Sequence, residues 1–164
     1  MIESNEGDNM IELRNLNYKD VKFILENWSE NILPGYYFPN SKEKVLKLIN
    51  QWNRKSYNGK YFEMYIIEMN KENVGLISVQ QHNFDTLSIG ISIQSISQNK
   101  GIGYEAIETA IKILKEDGWI NLISRCMTDN DASVALHKKC KFKLTGKSVN
   151  RKGHEVFTWN IKLN

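Results

Sequence analysis

Apolar positions in this chain switch between a spacing of two and a spacing of three to four, and each switch marks a boundary between elements. Residues 11–16 alternate as I-E-L-R-N-L and predict a first strand. From Asn17 to Glu30, Val21, Ile24, Leu25 and Trp28 recur at helical spacing, with Asn17 as the cap. The stretch between Pro34 and Pro39 is too punctuated for regular structure. A second helix is expected from about Ser41, with Val45, Leu48, Ile49 and Trp52 inward. Asn40 would be its cap, and Glu43 completes a capping box.

Three strand-like runs follow, Tyr61 to Met69, Asn73 to Gln81 and Thr86 to Gln94, joined by links short enough for hairpins. In the third, Leu87, Ile89, Ile91 and Ile93 face one way. Ser88, Gly90, Ser92 and Gln94 face the other, and their small size leaves room for something to lie against them. Next comes the clearest helix, with Ile107, Ala110, Ile111 and Leu114 as its buried stripe. Glu105 and Glu108 sit early in it and Lys112 and Lys115 late, matching the helix dipole. Trp119 to Met127 predicts a buried strand and Asp131 to Lys139 a short helix. Lys141 to Ser148 and Glu155 to Leu163 predict a closing strand pair. The sum is an α+β fold: a mixed, mostly antiparallel central sheet with helices on both faces.

Composition narrows the classes. At 164 residues, 41% apolar and 25% charged, the chain suits one soluble domain, expected over residues 10–164. Residues 1–9 are acidic and polar, unlike a signal peptide, and are expected to be a disordered leader. Met1-Ile2-Glu3 is echoed by Met10-Ile11-Glu12, so the fold is expected to start at Met10. The formal charge of +3 is spread along the chain, which argues against a nucleic-acid partner. No run approaches the roughly 20 apolar residues of a membrane span. Cys126 and Cys140 offer no disulfide framework and read as reduced thiols of a cytoplasmic protein. No metal site is expected.

The candidate chemistry lies in two blocks. Gln98-Asn99-Lys100-Gly101-Ile102-Gly103-Tyr104 is a glycine-rich turn between a strand and a helix, a local pattern that aims backbone N–H groups at an anion. Gly101 to Ala106 also satisfies G-x-G-x-x-A, the dinucleotide fingerprint, with Asp129 somewhat over 20 residues on as a ribose acid. Against that reading, the pattern arrives after half the chain, and residues 95–100 separate it from its strand. No helix is found after Phe142 to cover a parallel sheet. The second block, Asn130 to Phe142, reads N-x-x-S-x-x-L-x-x-K-x-x-F.

The order strand, Q-x-x-G-x-G, helix, strand, N-x-x-S block resembles the GNAT superfamily of N-acetyltransferases. The two early helices and the Asn130 block are most similar to its RimJ/RimL-type branch. The resemblance implies the acyl-CoA N-acyltransferase fold and acetyl-CoA as cosubstrate. Backbone N–H groups of Gln98, Asn99, Lys100, Gly101, Ile102, Gly103 and Tyr104 would hold the pyrophosphate. Ile91, Ser92 and Ile93 would pair with the pantetheine arm as with another strand. Asn130, besides capping its helix, would reach the pantetheine. The implied reaction is direct attack of a primary amine, on a protein N-terminus or a small molecule, in a ternary complex.

Departures from the family pattern matter. The tyrosine commonly found seven residues after the asparagine, which protonates the leaving thiolate, is His137 here, one helical turn from Ser133. Ser133 would orient the sulfur. The usual glycine before the final phenylalanine is Lys141, and the usual glutamate two residues before Gly90 is Ser88. Glu63, His82 and Asp85 are candidate replacement bases. Loss of the glutamate leans toward an α-amine or another low-pKa amine. Ser88 and the loop residues Tyr36, Tyr37 and Phe38 are expected to meet the acceptor, and Glu26, Glu30 and Glu43 nearby would suit a cationic one. A monomer or homodimer is expected. Two rivals stay open: a CoA-binding module without turnover, motivated by His137 and Ser88, and a nicotinamide-dependent enzyme.

Overall fold

In the computed structural model, residues 10–27, 41–57 and 59–164 are described. Their strands are β1 (Ile11–Asn15), β2 (Ser56–Tyr57), β3 (Lys60–Met69), β4 (Glu72–Gln81), β5 (Thr86–Ile93), β6 (Asn121–Met127), β7 (Lys143–Val149) and β8 (Glu155–Lys162). Their helices are α1 (Val21–Asn27), α2 (Lys42–Trp52), α3 (Ile102–Glu116) and α4 (Asp131–Lys139). Seven strands form one sheet in the order β1-β3-β4-β5-β6-β8-β7, and β2 pairs onto β3. Neighbours are antiparallel except β5 and β6. This is the mixed, mostly antiparallel α+β sheet that the hydrophobic pattern predicts.

Alternation along the strands divides the apolar side chains between two layers. On one face Tyr65, Ile67, Ile77, Val79, Leu87, Ile89, Leu122 and Trp159 pack against Ile102, Ala106, Ile107, Ala110 and Leu114 of α3. On the other, Phe62, Met64, Ile66 and Leu76 meet Val21 and Ile24 of α1 and Val45, Ile49 and Trp52 of α2. α2 and α3 bury the stripes expected of them, with Leu48 and Ile111 half-buried, and burying one such side chain contributes about 1.5–3 kcal/mol. In α1 only Val21 and Ile24 are buried: Leu25 is exposed, and Trp28 lies outside the described residues.

Local details differ from expectation at the helix starts. Asn17 does cap, accepting from the Lys19 N–H at 2.9 Å, but it opens a single 3-10 turn, and α1 begins only at Val21. The cap of α2 is Ser41, whose hydroxyl accepts from the Lys44 N–H at 3.3 Å. Asn40 lies outside the described residues, as do Trp28, Glu30 and the 34–39 segment. Residues 1–9 lie outside them too. β6 starts at Asn121 rather than Trp119, whose ring instead rests 5.2 Å from that of Tyr61.

A polar knot joins the start of the chain to the sheet. The Arg14 guanidinium donates to both oxygens of Asp20, at 2.8 and 2.7 Å, and also to Glu68 and, at 3.0 Å, to the Asn73 amide oxygen. Asp20 is 2% exposed. Burial alone would raise its carboxyl pKa, but Arg14, the Asn17 N–H and Asn73 outweigh it and hold the value below the usual 3.8. This stabilisation is present above pH 3.8 and is lost as pH falls through the lowered value. Asp20→Ala leaves the guanidinium without its bidentate partner. The unfolding free energy from urea titration is expected to fall by about 2–3 kcal/mol, discounted from the ~3–5 of a fully buried pair because Arg14 keeps partial contact with water.

Candidate functional site

The parallel pairing of β5 with β6 runs only from Thr86 opposite Asn121 to Ile89 opposite Ser124. β5 continues to Ile93 against β4, and β6 continues to Met127 against β8, so the two strands part. Backbone groups of residues 90–93 that point away from β4 meet no strand on that side. A cleft of about 560 Å³ occupies the gap.

The start of α3 closes one end of this cleft. Gly101 takes φ = +77° as its cap residue, with nothing within 4 Å of the position of a Cβ, so its role is conformational. It provides no side-chain cap, and the first N–H groups of a helix have no intrahelical acceptor. Those of Ile102, Gly103 and Tyr104 therefore face the cleft unpaired within the helix, at the positive end of the dipole. Gly103 has a different reason: a Cβ there would come 3.2 Å from Leu136, so the glycine lets α3 lie against α4. Lys139 Nζ sits 4.4 Å from the Tyr104 ring centroid and holds a cation at this mouth. The Gln98 side chain donates to the Ile93 carbonyl at 3.0 Å, tying the turn to the end of β5.

The other wall is α4. Asn130 caps it, accepting from the Ser133 N–H at 3.1 Å. Its far end is a Schellman turn: Phe142 N–H donates to the His137 carbonyl and Lys141 N–H to the Lys138 carbonyl, both at 3.0 Å. The Phe142 ring meets His137 edge-on at 5.4 Å, the hydrophobic contact typical of this turn. Lys141 takes φ = +65°, the left-handed position where a glycine would fit without strain.

His137 is 2% exposed and stacks on Trp159 at 5.2 Å. Its Nδ1 lies 2.6 Å from the Ser133 carbonyl oxygen, which can only accept, so Nδ1 carries the proton. Nε2 then accepts from the Ser124 hydroxyl at 2.8 Å. Burial lowers the imidazole pKa below 6.5, opposed by the Ser133 carbonyl. His137 is thus a neutral imidazole with both nitrogens engaged, and Ser124 stands on its Nε2 side.

Of the residues expected at the cofactor, 91–93, 98, 99, 101–104, Asn130, Ser133 and His137 all line this one cleft. Lys100 is exposed in the turn and is not among the lining residues. Ser88 lies before the strands part and does not line the cleft either. Tyr36, Tyr37 and Phe38 lie outside the described residues. The candidate bases do not come to the cleft. Glu63 is buried where it accepts from the Tyr61 hydroxyl and lies 3.9 Å from Lys55 Nζ, and His82 and Asp85 belong to the β4–β5 turn. Glu26 pairs with Lys22 at 3.9 Å, and Glu43 sits in the first turn of α2. Sequence reasoning missed Ser124, Arg125 and Met127 of β6. The alternation of that strand was visible, but its partner strand was not.

A family model described as an acetyltransferase (GNAT) domain matches residues 11–143. The chain belongs to the GNAT acetyltransferase family. Solved structures share the fold of this GNAT domain. The spermidine/spermine N-acetyltransferase SpeG of Vibrio cholerae superposes with a TM-score of 0.76 at 21% identity, covering 93% of this chain and 94% of that one. RimL, a ribosomal L7/L12 alpha-N-protein acetyltransferase in complex with coenzyme A, gives 0.78 at 20% identity, with 93% of each chain covered. The Salmonella typhimurium acetyltransferase that modifies the N-terminal serine of L7/L12 gives 0.75 at 22%, covering 94% and 95%. No curated protein sequence matches the chain. The nicotinamide reading is overturned: among the described residues the sheet holds a single parallel pair instead of a doubly wound set, and the family is that of acetyltransferases.

Two outcomes follow from the α4 geometry. Lys141→Gly is expected to raise the unfolding free energy by about 0.5–1 kcal/mol, since relief of the left-handed strain exceeds the added entropy of an unfolded glycine. For His137, the unfolded chain takes up a proton below pH 6.5 while the buried ring resists it. Stability therefore falls as pH drops from 6.5 toward the lowered value, with a slope of at most about 1.4 kcal/mol per pH unit. Urea midpoints measured across this range should show that slope in the native protein and lose it in His137→Gln.

Proposed function

We propose that this GNAT domain seats acetyl-CoA in the β5–β6 cleft and transfers its acetyl group to a primary amine by direct attack in a ternary complex. The observation that carries the reading is the junction in one cleft of the α3 N-terminus and a side of β5 that no strand pairs. The first suits a pyrophosphate, and the second suits an extended amide-containing arm that pairs as a strand does.

The reaction joins the amine nitrogen to the acetyl carbon and breaks the carbon–sulfur bond. The amine loses a proton to water, and the departing thiolate takes one from water. No carboxylate or phenolate base is demanded of the cleft if the amine is already partly neutral, as an α-amine with a pKa of about 7.8 is. That agrees with the cleft lining, which holds no Asp or Glu among the described residues. Thiolate with a pKa of about 8.5 leaves without obligatory help. Ser133 is the hydroxyl that orients the sulfur. His137, neutral with its one ring proton held by the Ser133 carbonyl and its Nε2 accepting from Ser124, has no proton to give the thiolate, which makes it a positioning residue for those hydroxyls. The acceptor approaches from the sheet face opposite α3, where Ser88 lies, with Tyr36, Tyr37 and Phe38 as proposed contacts.

A module that binds CoA without turnover is the second reading, favoured by the engagement of both His137 nitrogens. Thermal unfolding separates the possibilities. Acetyl-CoA and CoA at about a hundredfold their Kd are expected to stabilise the native state by about 2.7 kcal/mol, roughly 5–10 °C in midpoint, while NAD leaves it unchanged. Thiol release with a peptide amine then identifies a transferase. A midpoint unmoved by either CoA species would sink the reading, and a shift without thiol release for any amine would favour the binding module.

A further inference from the structure

The sheet face turned away from α3 and α4 carries a cleft-lining group, Arg125, to which acetyl-donor binding assigns no role. Strand register places Ser88, Gly90 and Ser92 of β5 on that face, with Arg125 and Met127 of β6 and Thr158 of β8. Arg125 is exposed and lies at the level where β5 and β6 have parted, so it borders the cleft from the side opposite α3. Among the described residues no carboxylate pairs with its guanidinium. The described part of this face on β5, β6, β7 and β8 carries no Asp or Glu, and Lys143, opposite Asn160, and Lys162, opposite Asn121, add further cations.

An unpaired guanidinium presents a planar fork of donors that matches a carboxylate through two parallel bonds. It also repels an acceptor whose only charges are ammonium groups. A cation beside the attacking nitrogen favours the neutral amine, which a cleft without a carboxylate base needs. We infer that Arg125 is a specificity-determining residue and that the acceptor is an amine bearing a carboxylate a few bonds from its nitrogen. This rests on the acetyl-transfer reading given above. A peptide N-terminus with an early acidic residue and a free amino acid both offer that chemistry, whereas a polyamine does not.

The test compares kcat/KM by thiol release, with saturating acetyl-CoA and the full chain. Four acceptors are used: a serine-led tripeptide amide with aspartate second, its asparagine twin, free aspartate, and spermidine. The aspartate peptide is expected to exceed its twin by about 10–100-fold. Arg125→Gln should erase that preference by slowing the aspartate peptide, and Arg125→Lys should retain part of it. Because Arg125 also lines the donor cleft, the midpoint shift with acetyl-CoA is measured for each variant, and a role at the acceptor predicts that the peptide preference falls further than the shift does. Free aspartate above the aspartate peptide would assign the amino acid as the source of the carboxylate, and the reverse would assign a peptide. Equal rates for the twins, a preference for spermidine, loss of the acetyl-CoA shift in Arg125→Gln, or a retained shift without turnover of any acceptor would each overturn the inference. A wild-type chain without the shift would fail the acetyl-donor reading first, so the two failures are distinguishable.

Discussion

Two neighbouring strands that run in the same direction cannot be joined by a tight turn, and here that constraint falls on β5 and β6 alone. The chain leaves β5 at Ile93 and must return the length of the sheet before β6 begins at Asn121, and α3 is the return. A crossover helix starts beside the end of the strand it follows. The amide-bearing start of α3 therefore lies where β5 and β6 stop pairing, and the cleft, the helix start at its end and its unpaired strand edge share one topological origin. The long buried stripe of α3 holds the crossover down on the sheet, from Ile102 to Leu114.

α4 depends on that arrangement in turn. Its contact with α3 is set by the missing side chain at Gly103, and its C-terminal turn wraps back so that Phe142 meets His137. The imidazole is locked from three directions, by the Ser133 carbonyl, by Ser124 across the sheet and by the Trp159 ring. A residue carried at the position of a family acid has here become part of the interior. It holds the Ser133 and Ser124 hydroxyls against the cleft that both residues line.

Much of this was legible in the sequence because its signals are local. The Q-x-x-G-x-G turn, the Asn130 cap, the left-handed demand at Lys141 and the stripes of α2 and α3 each involve residues within a turn or two of one another. What could not be read needed long-range pairing. Arg14 finds Asp20, Glu68 and Asn73 across three elements, and no spacing rule joins residues so far apart. Arg125 looked like any polar residue in an alternating strand, and only the register with β5 and β8 places it at the open end of the cleft. The shift of the α2 cap from Asn40 to Ser41 is of another kind: two good caps stand side by side, and local chemistry does not choose between them.

The two apolar layers of the sheet have no residue in common. α3 and the cofactor-side strand positions belong to one, and α1, α2 and Phe62, Met64, Ile66 and Leu76 to the other. Changes at sites well separated and without shared partners combine additively. The sheet thus works as a partition between two independently variable halves. Sequence drift in the α1–α2 layer can remodel that face of the sheet without disturbing the packing that holds the β5–β6 cleft, which gives a single scaffold room to diversify in one direction only.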